Sequence, residues 1–180
     1  MIDYCCERPE DAGQIEHMLD MAFGPGRFAK TAYRLREGMA FVPELSLVAW
    51  EDGVMRGSLR YWPIEIGEAR TPALLLGPLA VDPDHRGRGI ALRLMELSLE
   101  KAAQMGHTIV VLVGDEPYYA KVGFCAASAR AMRMPGPVDQ VRLLARELVP
   151  GALNGVNGPI HKARTSLQEQ RQPYLRAATK

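Results

Sequence analysis

The distribution of hydrophobic and polar residues divides the chain into segments with helical spacing and shorter apolar runs of strand length. Apolar residues recur every three or four positions over residues 9–23, and polar residues recur at spacings of three, four and four over residues 93–104. Both spacings are typical of amphipathic α-helices. A third helix is predicted over residues 27–37, and Gly38, a residue that commonly follows a helix, marks its end.

Seven apolar runs of strand length accompany these helices. Tight turns join the second, third and fourth, among them the hairpin signal Asp52-Gly53, so these strands are predicted to pair antiparallel. A helix separates the fourth run from the fifth, so those two should pair in parallel through a right-handed crossover. The predicted strands cover residues 2–6, 45–50, 54–65, 73–81, 108–113, 124–134 and 140–148. The predicted architecture is an α/β fold of the α+β type, with a mixed, mostly antiparallel seven-stranded sheet flanked by helices.

A chain of 180 residues is long enough for one domain with a substantial core. We assign residues 1–150 to this domain and residues 151–180 to a C-terminal extension that is partly flexible. The extension begins with a stretch rich in Gly and Asn and continues without a sustained hydrophobic period. A short surface helix over residues 165–171 is the alternative for part of it.

Composition argues against several functional classes. The formal net charge is +1 and the chain has no tight Lys/Arg run, so we expect no nucleic-acid partner. No apolar run approaches the roughly 20 residues of a membrane-spanning helix, and we expect no membrane association. The three cysteines, Cys5, Cys6 and Cys125, have neither a disulfide nor a metal-site spacing. They predict free thiols in a reducing cytoplasm and no bound metal.

The turn between the fourth strand and the following helix holds the clearest candidate binding motif. Gly87 and Gly89 allow a tight turn and bring backbone N–H groups close to a ligand without an intervening Cβ. The first N–H groups of the helix lack intrahelical partners, and the helix dipole attracts anions there. Arg86 and Arg88 add positive charge, so the turn predicts a pyrophosphate site. It lacks the Lys of a P-loop, and Leu92 stands where the dinucleotide fingerprint requires Gly.

The motif Arg86-x-x-Gly89-x-Ala91 resembles the R/Q-x-x-G-x-G/A signature of the GNAT superfamily of acyl-CoA-dependent N-acetyltransferases. The resemblance extends over roughly residues 1–148 and implies the GNAT fold, with acetyl-CoA as the acyl donor. In that fold the pantetheine arm lies between the parted ends of strands four and five, and Gly77-Pro78 supports an irregular fourth strand. The resemblance assigns the main chain of strand four to the pantetheine and the turn to the pyrophosphate. The residues so assigned are Leu79, Ala80, Val81, Arg86, Gly87, Arg88, Gly89, Ile90, Ala91 and Leu92.

A second stretch, residues 118–124, resembles the late GNAT motif Tyr-x-x-x-Gly-Phe. Tyr119 aligns with the tyrosine that lies near the acyl-CoA sulfur in that family. A phenol at hydrogen-bond distance can protonate or stabilise the thiolate that leaves when an amine attacks a thioester. Tyr119 is therefore the candidate general acid, and Tyr118 is assigned to the acetyl-CoA contact. Simple packing with a satisfied hydroxyl is the alternative for either side chain.

The acceptor side is less well defined by the sequence. In the GNAT arrangement the first helix pair lies over the acceptor cleft, which makes Phe28, Tyr33 and Arg36 candidates to face the acceptor. Many relatives use a Glu on or near strand four as the base, but residues 73–81 contain no acidic residue. Glu65, after strand three, is therefore the candidate base; Glu68, the less favoured Glu37 and Glu44, and a water relay are the alternatives.

These assignments predict an N-acetyltransferase that moves an acetyl group from acetyl-CoA to a primary amine by direct transfer in a ternary complex. The acceptor is a small molecule or a peptide, and association into a homodimer stays open. The alternative is a catalytically inactive acyl-CoA-binding sensor or partner module. The missing carboxylate on strand four favours that alternative, whereas Tyr119 argues against it.

Overall fold

The computed structural model describes residues 1–164, so the predicted helix over residues 165–171 lies outside the described residues. The strands in this part of the chain are β1 (Ile2–Cys6), β2 (Leu47–Glu51), β3 (Val54–Ile66), β4 (Thr71–Val81), β5 (Ile109–Val113), β6 (Met132–Arg133), β7 (Leu143–Glu147) and β8 (Gly158–Lys162). The α-helices here are α1 (Ala12–Phe23), α2 (Thr31–Arg36), α3 (Ile90–Gln104) and α4 (Glu116–Tyr119).

One mixed sheet runs in the order β1-β2-β3-β4-β5-β7, while β8 pairs with the second half of β3 and β6 pairs with β8. The β4–β5 pair is parallel, with α3 as the crossover between its strands, and β1 to β4 pair antiparallel in succession. The predicted α/β fold with a parallel central pair is therefore confirmed. The sheet of the described residues has eight strands rather than the seven predicted.

Side chains along each strand alternate between the two faces of the sheet. Both faces are apolar in the centre of the sheet, and helices cover each of them. In β4, Leu74 and Leu76 pack in the same buried cluster as the apolar face of α3. Leu75, between them, points to the opposite face and packs in a cluster with Leu35 of α2. The helix α1 covers another part of that sheet through contacts with β2, β3 and β4. This two-layer packing fixes β4 in the centre of the molecule.

Two elements near the C-terminus differ from the predictions. The predicted strand over residues 124–134 is wrong: Cys125 forms an isolated bridge with Ala145, a 3₁₀ turn follows, and only Met132–Arg133 is strand. The strand Gly158–Lys162 was not predicted, because its short polar sequence gains strand structure only by pairing with distant β3. This strand lies beyond residue 150, the predicted end of the domain, and still joins the sheet. The domain boundary itself stays a prediction.

Candidate active site

The parallel strands β4 and β5 separate part-way along β4. Their register pairs Leu74 with Val110 and Leu75 with Val111, and β4 then continues to Val81 with β3 as its only partner strand among residues 1–164. Meanwhile β5 pairs with β7 on its other side. The end of β4 therefore presents one main-chain edge to a gap, as predicted for strands four and five.

A cavity of about 400 Å³ lies between this end of β4 and the start of α3. Gly89 caps α3 with φ 80°, and the N–H group of Arg93 donates to its carbonyl at 3.0 Å. The helix N–H groups ahead of Arg93 have no acceptor within the helix and remain available to a ligand. The cavity is lined by Leu79, Val81, His85, Arg86, Gly87, Gly89, Ile90, Ala91, Leu92, Tyr118, Tyr119 and Lys121.

The turn ahead of α3 has an open backbone surface. Gly87 and Gly89 have φ values of 79° and 80°, a left-handed conformation that favours glycine. A Cβ built on either residue would meet no other atom within 4 Å, so the space beside them is free for a ligand. Asp82 holds the turn in place by accepting hydrogen bonds from the N–H group of Asp84 (3.1 Å) and the guanidinium of Arg56 (2.7 Å).

Most of the residues assigned to acetyl-CoA from the sequence line this cavity, and Ala80 and Arg88 do not. The side chain of Ala80 is buried in the cluster that includes α1, on the other face of the sheet. The guanidinium of Arg88 donates two hydrogen bonds of 2.7 Å to the carboxylate of Glu51. Conversely, His85 and Lys121 line the cavity but were not assigned to acetyl-CoA from the sequence, since Lys121 occupies a variable position of the Tyr-x-x-x-Gly-Phe motif and His85 lies just before the turn motif.

Tyr119 lies at the end of α4, with its ring edge-on to Tyr118 (centroids 5.3 Å apart) and Phe124 (6.3 Å). Burial raises the pKa of the Tyr119 phenol to about 12, with smaller contributions from Tyr118 and Asp115. The phenol is therefore protonated throughout the neutral and moderately alkaline range. Tyr119 and Leu79 line both the cavity described above and a second cavity on the far side of the gap.

The second cavity has a volume of about 610 Å³ and lies between α2, the end of β5 and the loop before β7. Of the three residues predicted to face the acceptor, Tyr33 and Arg36 line this cavity, whereas Phe28 does not and instead packs edge-on against Tyr33. Its charged lining consists of four basic and two acidic residues: Arg27, Lys30, Arg36, Arg142, Asp115 and Asp139.

The structure does not bring Glu65, the predicted base, into either cavity. Antiparallel pairing places Glu65 opposite Pro72, at the beginning of β4, whereas the gap opens at the other end of that strand. Its buried carboxylate accepts a hydrogen bond from the N–H group of Arg164 (3.1 Å) and lies 3.5 Å from the guanidinium of Arg70. These contacts indicate a structural role, and Glu68, in the adjoining turn, lines neither cavity.

Metal-binding clusters and membrane-spanning helices are both absent from the described residues. Residues 1–164 contain no group of three or more His, Cys, Asp or Glu side chains that could hold a metal ion. Within the same residues, no helix has both the length and the apolar character needed to cross a bilayer.

Comparison with known proteins identifies relatives that are similar to this protein over most of the chain. The sequence profile of the Acetyltransferase (GNAT) family matches residues 14–124. The uncharacterised N-acetyltransferase YhbS of Escherichia coli (strain K12) is 33% identical over 153 residues, which cover 84% of this chain and 90% of YhbS. The crystal structure of Escherichia coli YhbS in complex with CoA superimposes with a TM-score of 0.77 at 30% identity, covering 90% of this chain and 89% of that one.

A GNAT family acetyltransferase from Brucella melitensis, solved in complex with acetyl-CoA, gives a TM-score of 0.69 at 27% identity. That comparison covers 91% of this chain and 97% of the Brucella chain. The fold and the divided parallel pair are thus those of an acyl-CoA-dependent acyltransferase. More particularly, the chain belongs to the GNAT family of acetyltransferases.

Proposed function

We propose that this protein transfers an acetyl group from acetyl-CoA to a primary amine by direct transfer within a ternary complex. One observation carries the proposal: Leu79 and Tyr119 line both cavities at the point where β4 has left β5. A donor in the first cavity and an acceptor in the second would meet there. This arrangement needs no covalent acyl-enzyme, because both substrates can reach the same point at once.

The first cavity fits the donor. The free N–H groups at the start of α3 and the open glycine turn suit a pyrophosphate, and Arg86 adds a cation at the same place. The exposed main-chain edge at the end of β4 offers hydrogen bonds to the amides of a pantetheine arm. When bound there, acetyl-CoA would supply the thioester that the amine attacks.

Two groups of the protein would act on the thioester. Main-chain N–H groups at the end of β4 would polarise its carbonyl, as in other sites that stabilise an oxyanion. The Tyr119 phenol would donate a hydrogen bond to the departing sulfur. Because the pKa of Tyr119 is about 12 and a free thiol has a pKa of about 8.5, complete proton transfer from phenol to thiolate is unfavourable. Tyr119 therefore acts mainly by hydrogen bonding, and solvent completes the protonation.

The proton lost by the amine is accepted by water in this proposal. Asp115 and Asp139 are the acidic residues that line the acceptor cavity, and both are exposed and engaged. Asp115 lies 3.2 Å from the guanidinium of Arg142, and Asp139 accepts a hydrogen bond from the N–H group of Val141 at 3.3 Å. Without a dedicated carboxylate, kcat/KM should rise with pH in step with deprotonation of the amine itself.

A thiol-release assay with acetyl-CoA and a panel of primary amines tests this function, with product mass confirming N-acetylation. We expect turnover with at least one amine and a strong reduction in the Tyr119→Phe variant. If calorimetry shows that acetyl-CoA binds while no amine in the panel increases thiol release, the protein is instead a binding module without catalysis. Saturation by both substrates without a covalent acetyl-enzyme would support direct transfer.

A further inference from the structure

Arg36 is a half-buried cation that forms no ion pair with any acidic side chain of the described residues. Its Nε atom is inaccessible to solvent and has no hydrogen-bond partner, and its guanidinium forms no ion pair within residues 1–164. Burial, followed by the positive charges of Arg27 and Arg60, lowers the pKa of Arg36 to about 10. The side chain is therefore still charged at neutral pH. Withdrawing part of a charged group from water without pairing it is costly, so the Nε atom without a partner calls for an explanation.

The neighbouring arginines differ from Arg36 in this respect. Arg27 donates hydrogen bonds to Glu16 (2.6 Å) and Asp20 (3.0 Å). Arg60 is held by two hydrogen bonds to Glu7 (2.8 and 2.7 Å) and one to Glu16 (3.1 Å). The three carboxylates that these arginines contact are thus already paired. Arg36 alone of these three keeps an uncompensated charge in the described structure.

Arg36 is also placed where an acceptor must sit. It lines the second cavity, and its Nη2 atom lies 3.0 Å from the position that a Cβ on Gly77 would occupy. Gly77 is among the first residues of β4 beyond its pairing with β5. The same Cβ position lies 3.8 Å from the main-chain nitrogen of Leu79, a residue at the junction of the two cavities. A molecule held at Arg36 therefore needs to extend only a few bonds to place an amine at that junction.

We infer that Arg36 binds a carboxylate or phosphate group of the acceptor, so that the substrate is a small amine carrying an anionic group. The inference deepens the proposed acetyl transfer and rests on it. The rest of the lining is compatible with such a molecule. Lys30 adds a second cation, placed over the ring of Phe23 at 4.9 Å, while Tyr33 and Leu112 offer apolar surface to its carbon skeleton.

The test compares amines that differ in the anionic group. The pairs are 4-aminobutyrate with butylamine, phenylalanine with phenylethylamine, and O-phosphoethanolamine with ethanolamine; the first two test a carboxylate and the third a phosphate. The wild-type kcat/KM, corrected for the ionisation of each amine, should favour the anionic member of at least one pair by about ten- to a hundredfold, the usual effect of a hydrogen bond to a charged group.

Two variants make the comparison specific. Arg36→Gln should bring the preferred pair close to equal kcat/KM while leaving acetyl-CoA affinity unchanged. Arg34→Gln is the matched control, because Arg34 lies on the same helix but is exposed and does not line the cavity. It should retain the wild-type preference. Equal use of both members of every pair by the wild-type protein, or a preference that survives in Arg36→Gln, would overturn the inference.

A binding measurement separates this inference from the proposed function. The same pairs are titrated calorimetrically into protein saturated with CoA. Tighter binding of an anionic member, lost in Arg36→Gln and kept in Arg34→Gln, supports the anion site even if no amine is acetylated. Equal binding of both members of all three pairs contradicts the site even if acetyl transfer is observed.

Discussion

Gly114 leaves no room for a side chain beneath the ring of Tyr119. A Cβ built on Gly114 would lie 2.8 Å from Cδ2 of Tyr119 and closer still to Cε2, well inside van der Waals contact. Gly114 ends the run of β5, and Tyr119 ends α4, so this contact fixes the phenol relative to the gap between β4 and β5. The glycine is thus a positioning residue for the proposed hydrogen-bond donor.

We predict that Gly114→Ala lowers kcat by displacing the ring of Tyr119. Displacing a catalytic group by about 1 Å can cost as much as a hundredfold in rate. Steady-state kinetics would measure the effect, and circular dichroism would confirm folding. Gly13→Ala is the control, since nothing lies within 4 Å of its added Cβ in α1. An unchanged kcat in Gly114→Ala would mean that the position of Tyr119 does not matter for turnover.

Tyr119→Phe should lower kcat by about ten- to a hundredfold, the smaller part of the usual acid–base effect, because a thiolate is already a good leaving group. Acetyl-CoA affinity should change little. Since the raised pKa of Tyr119 keeps its phenol protonated until about pH 12, loss of activity through its ionisation should not appear below about pH 11. A pH profile of kcat checks this. A drop near pH 9 that vanishes in Tyr119→Phe would contradict the predicted protonation state.

Gly89→Asp should abolish detectable acetyl-CoA binding, whose wild-type affinity we expect in the micromolar range, about −8 kcal/mol. The substitution places a carboxylate against the pyrophosphate at the start of α3. Gly89→Asn is the matched control, because Asn has nearly the same shape and tolerates the left-handed conformation without adding charge. Calorimetry should show weakened binding for Asn and none for Asp. Equal affinities for the two variants would argue against a phosphate at this turn.

Two neighbouring arginines should differ in their effect on acetyl-CoA affinity. Arg86 lines the donor cavity, whereas Arg88 is held by Glu51. Arg86→Gln should therefore weaken acetyl-CoA binding by about three- to tenfold at low salt, as expected for one partly exposed ionic contact. Arg88→Gln should change it by less than about twofold. The reverse order in calorimetric titrations would show that Arg88 leaves Glu51 when the donor binds.

Arg36→Met should raise the free energy of unfolding of the ligand-free protein by about 1 kcal/mol, because a half-buried charge without an ion pair is replaced by an apolar chain of similar length. The pKa of Arg36 is lower in the folded protein than its ordinary value. The destabilisation is therefore full below pH 10 and fades as the pH rises above it. Urea unfolding at pH 7.5 is the measurement, with Arg34→Met as the control. A loss of stability in Arg36→Met alone would indicate that the guanidinium has stabilising contacts in solution.

The donor side could be predicted from the sequence because its signals are local. The turn with Gly87 and Gly89, the polar spacing of α3 and the position of Tyr119 each depend on a few consecutive residues. The acceptor side depends on which distant segments meet, and here the sequence was less informative. Strand direction places Glu65 away from the gap, because the end of β3 lies opposite the start of β4. Arg36 was a candidate for the acceptor side, but its lack of an anionic partner is visible only in three dimensions.

On the side away from β4, β3 pairs with two different strands, and this affects the chain during synthesis and after truncation. The first half of β3 pairs with β2, whereas Ile64–Ile66 pairs on that side with β8, which is synthesised about ninety residues later. Until β8 emerges, this part of β3 is an open strand edge rich in apolar residues, the kind of edge that recruits other strands. A truncation at residue 150 would make that exposure permanent. We therefore expect such a fragment to self-associate. By covering this edge, β8 protects the full-length chain against aggregation in addition to completing the sheet.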